Sequence, residues 1–175
     1  EAKYPDFLRK AEKRLAKAQR KLSQKQKGSH NREKQRLRVA ILHEKVANQR
    51  QDFLHKKARY LADRYDVIGI EDISVKAMAK RKKGGKFSFG KSVADNGWNL
   101  FTNMLEYKLA WQGKLLIKID KWYPSSQLCH VCGYQNHETK DLSVREWDCP
   151  KCGSHHNRDK NAAINIREEA RRISA

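Results

Sequence analysis

No apolar run in this 175-residue sequence approaches the ~18 residues that a membrane-spanning helix needs. The longest are short pieces such as Val67 to Ile70. The opening residues lack the apolar core of a signal peptide. Acidic residues are scarce, with 20 Asp+Glu against 39 Lys+Arg and a formal net charge of +19. So one-sided a charge repels itself in a compact chain unless a polyanion lies near, which points to nucleic acid, or to an anionic membrane surface, as the partner. Apolar residues are also few, at 38%. A chain of this length can bury one respectable core, so the expectation is one compact domain with a charged appendage and not two full domains. A starting Met is missing too: the first residue is Glu1, and the chain is expected to be a piece of a longer or processed protein. No internal repeat of solenoid period occurs.

The positive charge is unevenly spread. Residues 1–60 carry 19 Lys/Arg and 6 Asp/Glu, so two thirds of the excess sits in one third of the chain. Within it Leu8, Ala11, Leu15, Ala18 and Leu22 recur at spacings of three and four, and Val39, Leu42, Val46 and Phe53 repeat the stripe. Each is the mark of an amphipathic helix, and Lys27-Gly28-Ser29 between them holds the residue best suited to ending one. The pattern predicts an antiparallel helical hairpin. Its outer faces carry Arg9, Lys13, Arg20, Lys21, Arg32, Arg36 and Arg38, either a ladder for phosphates or a solvated face. A merely solvated face usually mixes both signs, and this one does not.

From about Tyr65 the pattern changes. Val67-Ile68-Gly69-Ile70 predicts a buried strand ending in Glu71-Asp72, and Leu115 to Asp120 predicts a second. A helix is expected between them from about Asp95, with Trp98, Phe101, Leu105 and Leu109 on one face, which makes a βαβ unit with parallel strands. Ala79 to Gly90, containing Arg81, Lys82 and Lys83, is basic and without period, and reads equally as a mobile lid or a solvated loop. Asp159 to Ile173 predicts a closing helix. Among the aromatics, Trp98, Trp111, Trp122 and Tyr123 could stack bases, but Trp98 and Trp111 fall in the helical region and are expected in the core.

All four cysteines lie in one block, Cys129-x-x-Cys132 and Cys149-x-x-Cys152, with sixteen residues between the pairs. This is the spacing of a tetrathiolate zinc ribbon: a two-residue gap lets both thiolates of a knuckle reach one ion, and two knuckles complete a tetrahedron. Gly133 and Gly153 follow each pair where a turn takes positive φ, and Ser143 to Trp147 alternates like a ribbon strand. Disulfides would require an oxidising compartment. Four thiolates leave no open coordination position, so the zinc is expected to be structural. The nearby His130, His137, His155 and His156 are not needed as ligands and are free to contact phosphate. Ser125-Ser126-Gln127 either fixes the entry to the ribbon or touches a phosphate. Asp159, in the first turn of the closing helix, either stabilises that helix end or joins Glu71 on Mg²⁺, a hard cation suited to carboxylate oxygens.

Four ordered motifs carry a resemblance: Ile70-Glu71-Asp72-Ile73; Ser125-Ser126-Gln127-x-Cys129-x-x-Cys132-Gly133; Cys149-Pro150-x-Cys152-Gly153; and Asn157-Arg158-Asp159-x-Asn161-Ala162-Ala163-x-Asn165-Ile166. Together they resemble the transposon-encoded TnpB (OrfB) family of RNA-guided DNA endonucleases, akin to compact type V CRISPR effectors. The resemblance runs over nearly the whole chain. It implies an α/β fold, an incomplete RNase H-like (RuvC) nuclease domain carrying an inserted basic hairpin and a zinc ribbon. The expected organisation is a hairpin over 1–62, a strand-helix-strand core over 63–124, a ribbon over 125–156 and a closing helix over 157–175. It further implies that Glu71 and Asp159 are the second and third catalytic carboxylates and hold two Mg²⁺ ions for phosphodiester hydrolysis. Asp72 is expected to point to the opposite side of its strand from Glu71.

The sequence departs from that family in two places. The first catalytic Asp, in a G-x-D-x-G strand upstream of the hairpin, has no counterpart here, and Asn157 stands where Asp is common. The resemblance therefore implies that the isolated chain is inactive or nearly so, and that an N-terminal segment of the same protein, or another chain, supplies the missing Asp strand. Guide RNA and target DNA are the implied partners, and prokaryotic cytoplasm, in association with the nucleoid, the implied location. A non-catalytic nucleic-acid-binding module and a strand-joining transposase accessory are the competing readings.

Overall fold

A computed structural model describes residues 5–73 and 97–175. The chain divides into two compact units, 1–63 with 74–108 and 64–73 with 109–175.

In the first unit α1 (Phe7–Ser23) and α2 (His30–Arg64) form the expected hairpin. Leu22 meets Arg32, Ala18 meets Gln35, and Phe7 lies 5.9 Å from Phe53, a falling-against-rising order that makes the helices antiparallel. The turn works as its residues dictate. Gly28 takes φ +80°, which costs a residue without Cβ little, and the Ser29 hydroxyl accepts from the Arg32 amide at 3.2 Å to cap α2. Leu15, Ala18, Val39, Val46 and Leu54 are buried along the two stripes. One polar side chain joins them: buried Gln35 donates its amide to the Ala18 carbonyl at 2.9 Å. A third helix, α3 (Trp98–Ala110), begins three residues later than the sequence suggested, and Asp95 lies outside the described residues.

Leu105 and Leu109 of α3 are buried as expected, and Trp98 is half-buried against Phe101 at 6.1 Å. Trp111 is not in the core; it is 78% exposed. The reason is local: α3 stops at Ala110, Gly113 turns the chain at φ +68°, and Trp111 falls past the end of the helical stripe.

In the second unit β1 (Val67–Glu71) pairs in parallel with β2 (Leu115–Ile119), Val67 opposite Leu115 and Glu71 opposite Ile119. The closing helix α4 (Arg158–Ser174) packs on this pair. Contact is close at Gly69, where a Cβ would stand 2.6 Å from the Ala170 Cβ and 3.1 Å from the Ile166 carbonyl oxygen. Gly69→Ala is accordingly expected to destabilise the protein by about 1–3 kcal/mol, the usual cost of overpacking. Urea denaturation of the variant against the parent measures it.

The ribbon is completed by a 3₁₀ turn (His137–Lys140) and two short antiparallel strands, β3 (Glu146–Asp148) and β4 (His155–Asn157). The strand expected from Ser143 starts only at Glu146. Asp141 is the cause: its carboxylate accepts from the Ser143 amide at 2.9 Å and its carbonyl from the Val144 amide at 3.2 Å, so those residues are spent on a turn. Among the described residues no helix is long and apolar enough to cross a membrane.

Candidate functional site

The two cysteine pairs sit on two copies of one turn. The Gly133 amide donates to the Cys129 carbonyl at 2.9 Å and the Gly153 amide to the Cys149 carbonyl at 2.8 Å, with φ +72° and +73° at the glycines. The turns bring the four Sγ atoms within 4.8 Å of one another. Cys129 and Cys152 are 3.7 Å apart and Cys132 and Cys149 3.5 Å. A tetrahedron with ~2.3 Å metal–sulfur bonds has edges of ~3.8 Å, whereas a disulfide spans ~2.05 Å. The donor set therefore fits a closed metal site such as zinc's, and no disulfide forms.

The thiols also show why a cation belongs there. Hydrogen bonds from the Ser154 side chain and backbone lower Cys152 to about 6. A backbone hydrogen bond at Tyr134 lowers Cys132, yet desolvation and hydrogen bonding with the other three cysteines carry it up to about 12. Thiolates crowded this closely need a metal before all four ionise. Buried His156 brings Nε2 to 3.1 Å from the Cys129 sulfur. Burial, then the neighbouring His130, lowers its pKa.

The four histidines sit in different settings, with His130, His137 and His155 exposed and His156 buried. His156 stacks against Trp147 at 4.7 Å with 2% exposure, His130 bonds Asn161, and His155 Nδ1 lies 2.7 Å from Asp148.

Glu71 ends β1, and its Oε1 accepts a hydrogen bond from the Ser125 hydroxyl. Ser125-Ser126-Gln127 thus reaches into the strand end: Ser125 is buried and touches the carboxylate. Strand alternation leaves Asp72 exposed. Asp159 lies in the first turn of α4, 78% exposed, with Arg145 Nη1 at 3.9 Å. Asn157 caps that helix, its side-chain oxygen accepting from the Lys160 amide at 3.2 Å, a task at which Asn equals Asp.

Helical periodicity puts Asp159 on the same face of α4 as Ile166 and Ala170, the residues that meet Gly69. Gly69 and Glu71 in turn share a face of β1. Among the described residues no hydrogen bond or ion pair joins the two carboxylates, and the four cysteines are the one group of three or more clustered potential ligands.

The predicted cations of the hairpin separate into different environments. Lys21 and Arg38 line a groove of about 450 Å³ between α1 and α2 together with Arg14 and Lys17, over a floor that includes Ala18 and Ile41. Arg9, Lys13 and Arg20 line a second groove with Lys17. Arg36 is taken by Glu33 at 2.8 Å. Arg32 donates Nη1 to the Leu22 and Lys25 carbonyls at 3.0 and 3.2 Å, closing the C-terminus of α1. Arg81, Lys82 and Lys83 lie outside the described residues.

Sequence reasoning passed over Arg14 and Lys17, which face the same groove as Lys21. It also assigned no role to Asn161 and Asn165, although two poor helix formers spaced by four mark one polar stripe.

Comparison with known proteins is consistent along the chain. The OrfB family of IS605 type, described as "Probable transposase", matches residues 1–82, and the "Cas12f1-like, TNB domain" matches residues 98–166. A "Putative RNA-guided DNA endonuclease" of Streptomyces pristinaespiralis is 44% identical over 93% of this chain and 39% of its own length. InsQ of Escherichia coli, of the same description, is 35% identical over 91% of this chain and 42% of its own. The chain thus spans about two fifths of the length of these relatives. The fold is similar to that of Cas12f1 in its complex with sgRNA and target DNA, with TM-score 0.57 at 23% identity over 92% of this chain and 41% of the other.

Proposed function

This chain belongs to the TnpB (OrfB) family, and from that premise we propose that it is the C-terminal nuclease portion of an RNA-guided DNA endonuclease. The carrying observation is the parallel strand pair whose C-terminal end presents Glu71, held by Ser125, under a helix that carries Asp159 in its first turn. In this reading the chain divides into a basic hairpin over 1–62, an RNase H-like core over 63–124, a ribbon over 125–156 and a closing helix over 157–175.

Glu71 and Asp159 would hold Mg²⁺. The ion, when bound, activates water and stabilises the leaving oxygen of a phosphodiester. The residues of the chain do the rest: Ser125 orients Glu71, and the exposed setting of Asp159 leaves its oxygens open to a cation. The cysteines hold zinc, which shapes the ribbon and takes no part in hydrolysis. Guide RNA and target DNA are the partners, with guide pairing choosing the sequence, in the prokaryotic cytoplasm at the nucleoid. An upstream segment, or another chain, supplies a third carboxylate. Mg²⁺-dependent cutting of target DNA that requires both Glu71 and Asp159 tests this reading. RNA binding that persists with cutting absent in every assembled form would favour a binding module.

The hairpin groove is the proposed phosphate track. Removing Arg14, Lys21 and Arg38 together is expected to weaken RNA binding regardless of sequence. It should also flatten the dependence of log affinity on log salt by about 2, at ~0.7 per lost phosphate contact. Arg36→Ala, whose partner is Glu33, is expected to change that slope by less. Filter binding across a salt series separates the two.

A further inference from the structure

Ser125 is fixed from three sides. Its amide donates to the Tyr123 carbonyl at 2.8 Å, its carbonyl accepts Asn165 Nδ2 at 2.8 Å, and its hydroxyl donates to Glu71. Asn165 spends its amide twice, reaching the Leu128 carbonyl at 2.7 Å as well, which uses both N–H donors of that group. One turn earlier in α4, Asn161 gives Nδ2 to the same Leu128 carbonyl at 2.6 Å. Its Oδ1 faces the His130 amide at 3.1 Å and His130 Nδ1 at 2.9 Å. Leu128 and His130 flank Cys129. Ser125, Asn161 and Asn165 are 5%, 1% and 6% exposed, so water does not compete for these bonds.

We propose that Ser125 is a positioning residue for the Glu71 carboxylate, and that Asn165 and Asn161 tie that position to the first cysteine knuckle. A metal held by the four cysteines would thereby steady the backbone that carries Ser125. The inference rests on the nuclease reading of Glu71. A glutamate on a strand end has free rotation about its side-chain bonds, and a hydroxyl donor on one oxygen removes most of it while leaving the second oxygen for a cation. The hydroxyl is held in turn by a backbone segment that cannot move without breaking the Asn165 bonds, and those end on the residue beside Cys129. Helix packing alone does not call for a hydroxyl on the carboxylate.

The test uses this chain joined to the upstream Asp-bearing segment, with Mn²⁺ binding followed by electron paramagnetic resonance and the Mg²⁺ half-saturation of cleavage as a second readout. Ser125→Ala is expected to weaken Mn²⁺ binding and raise the Mg²⁺ half-saturation about tenfold, the scale of a lost hydrogen bond to a charged group. Zinc content should stay at the parent's, whereas a role confined to holding the ribbon would lower it. Ser125→Thr, which keeps the hydroxyl, should restore the affinity. Ser125→Cys, near in size and a weak donor, should behave like Ser125→Ala and serves where alanine disturbs folding. Asn165→Ala should give a similar shift, and the double variant no more than one of them, because both act through one contact. Parent-like Mn²⁺ affinity in Ser125→Ala and Ser125→Cys, with Glu71→Ala defective, overturns the inference and leaves the nuclease reading intact. Parent-like binding and cutting in Glu71→Ala overturns that reading and the inference with it.

Discussion

Stripping the metal from the cysteine cluster is expected to unfold the ribbon while the α1–α2 hairpin stays helical. The ribbon has little else to hold it. Its strands are three residues each, and its core is Cys129, Trp147 and Cys149, with Cys132 and Val144 packed against them. A structural zinc site is worth about 10–16 kcal/mol in apparent binding free energy at neutral pH, as much as the whole stability of a typical domain. Nothing in so small a core replaces it. The hairpin, by contrast, rests on its own stripe of Leu15, Val39, Val46 and Leu54 and includes no cysteine.

The measurement is near- and far-ultraviolet circular dichroism before and after a zinc chelator. Trp147, 7% exposed against the cysteines, should lose its near-ultraviolet signal, while most of the helical signal remains. Cys129→Ala should reproduce the change without chelator and bring the zinc content from one per chain to near zero. A near-ultraviolet spectrum unmoved by complete zinc removal would contradict the role given to the metal.

What the sequence revealed of this architecture follows how local each signal is. The cysteine spacing and the two following glycines are local, since the knuckle is built within five residues, and the structure brings the four sulfurs together. The helical stripes of α1 and α2 are local too, and so is Gly28 between them. Parallel pairing of β1 with β2 needed one further step, the rule that a strand-helix-strand unit joins parallel strands, and that pairing is present.

Legibility ended where a side chain's partner lies far along the chain. Arg32 and Arg38 look alike in sequence, yet one closes a helix ten residues back and the other lines a groove. Ser125 meets Glu71 across 54 positions, and no spacing rule spans that distance. Trp111 failed for a different reason: a helix that ends one residue early turns a core position into an exposed one.

The isolated 175-residue chain is expected to cut DNA no faster than background in Mg²⁺, and to gain cutting when joined to a segment bearing an Asp in a G-x-D-x-G strand. Two metal ions ~3.5–4 Å apart stabilise the attacking and leaving oxygens only if a carboxylate set holds both. In the proposed reading Glu71 and Asp159 are two ligands of such a set, and the sequence contains no G-x-D-x-G to supply the third. In the joined protein Glu71→Ala and Asp159→Ala are each expected to lower the cleavage rate on the order of 10³-fold or more, as losses of transition-state charge stabilisation do. Zinc content should be untouched, since neither residue belongs to the four-cysteine cluster. Asp159→Asn is the sharper variant. Asn keeps the size of a side chain that sits 78% exposed beside Arg145, where a surface ion pair is worth little. A large loss of cutting without loss of stability would therefore assign Asp159 to metal binding and not to holding the helix end. If the isolated chain cuts as fast as the joined protein, the missing carboxylate is unnecessary and the two-metal assignment fails. If the joined protein cuts but ignores all three substitutions, the active carboxylates lie elsewhere, and the basic hairpin and ribbon are left as a nucleic-acid-binding module.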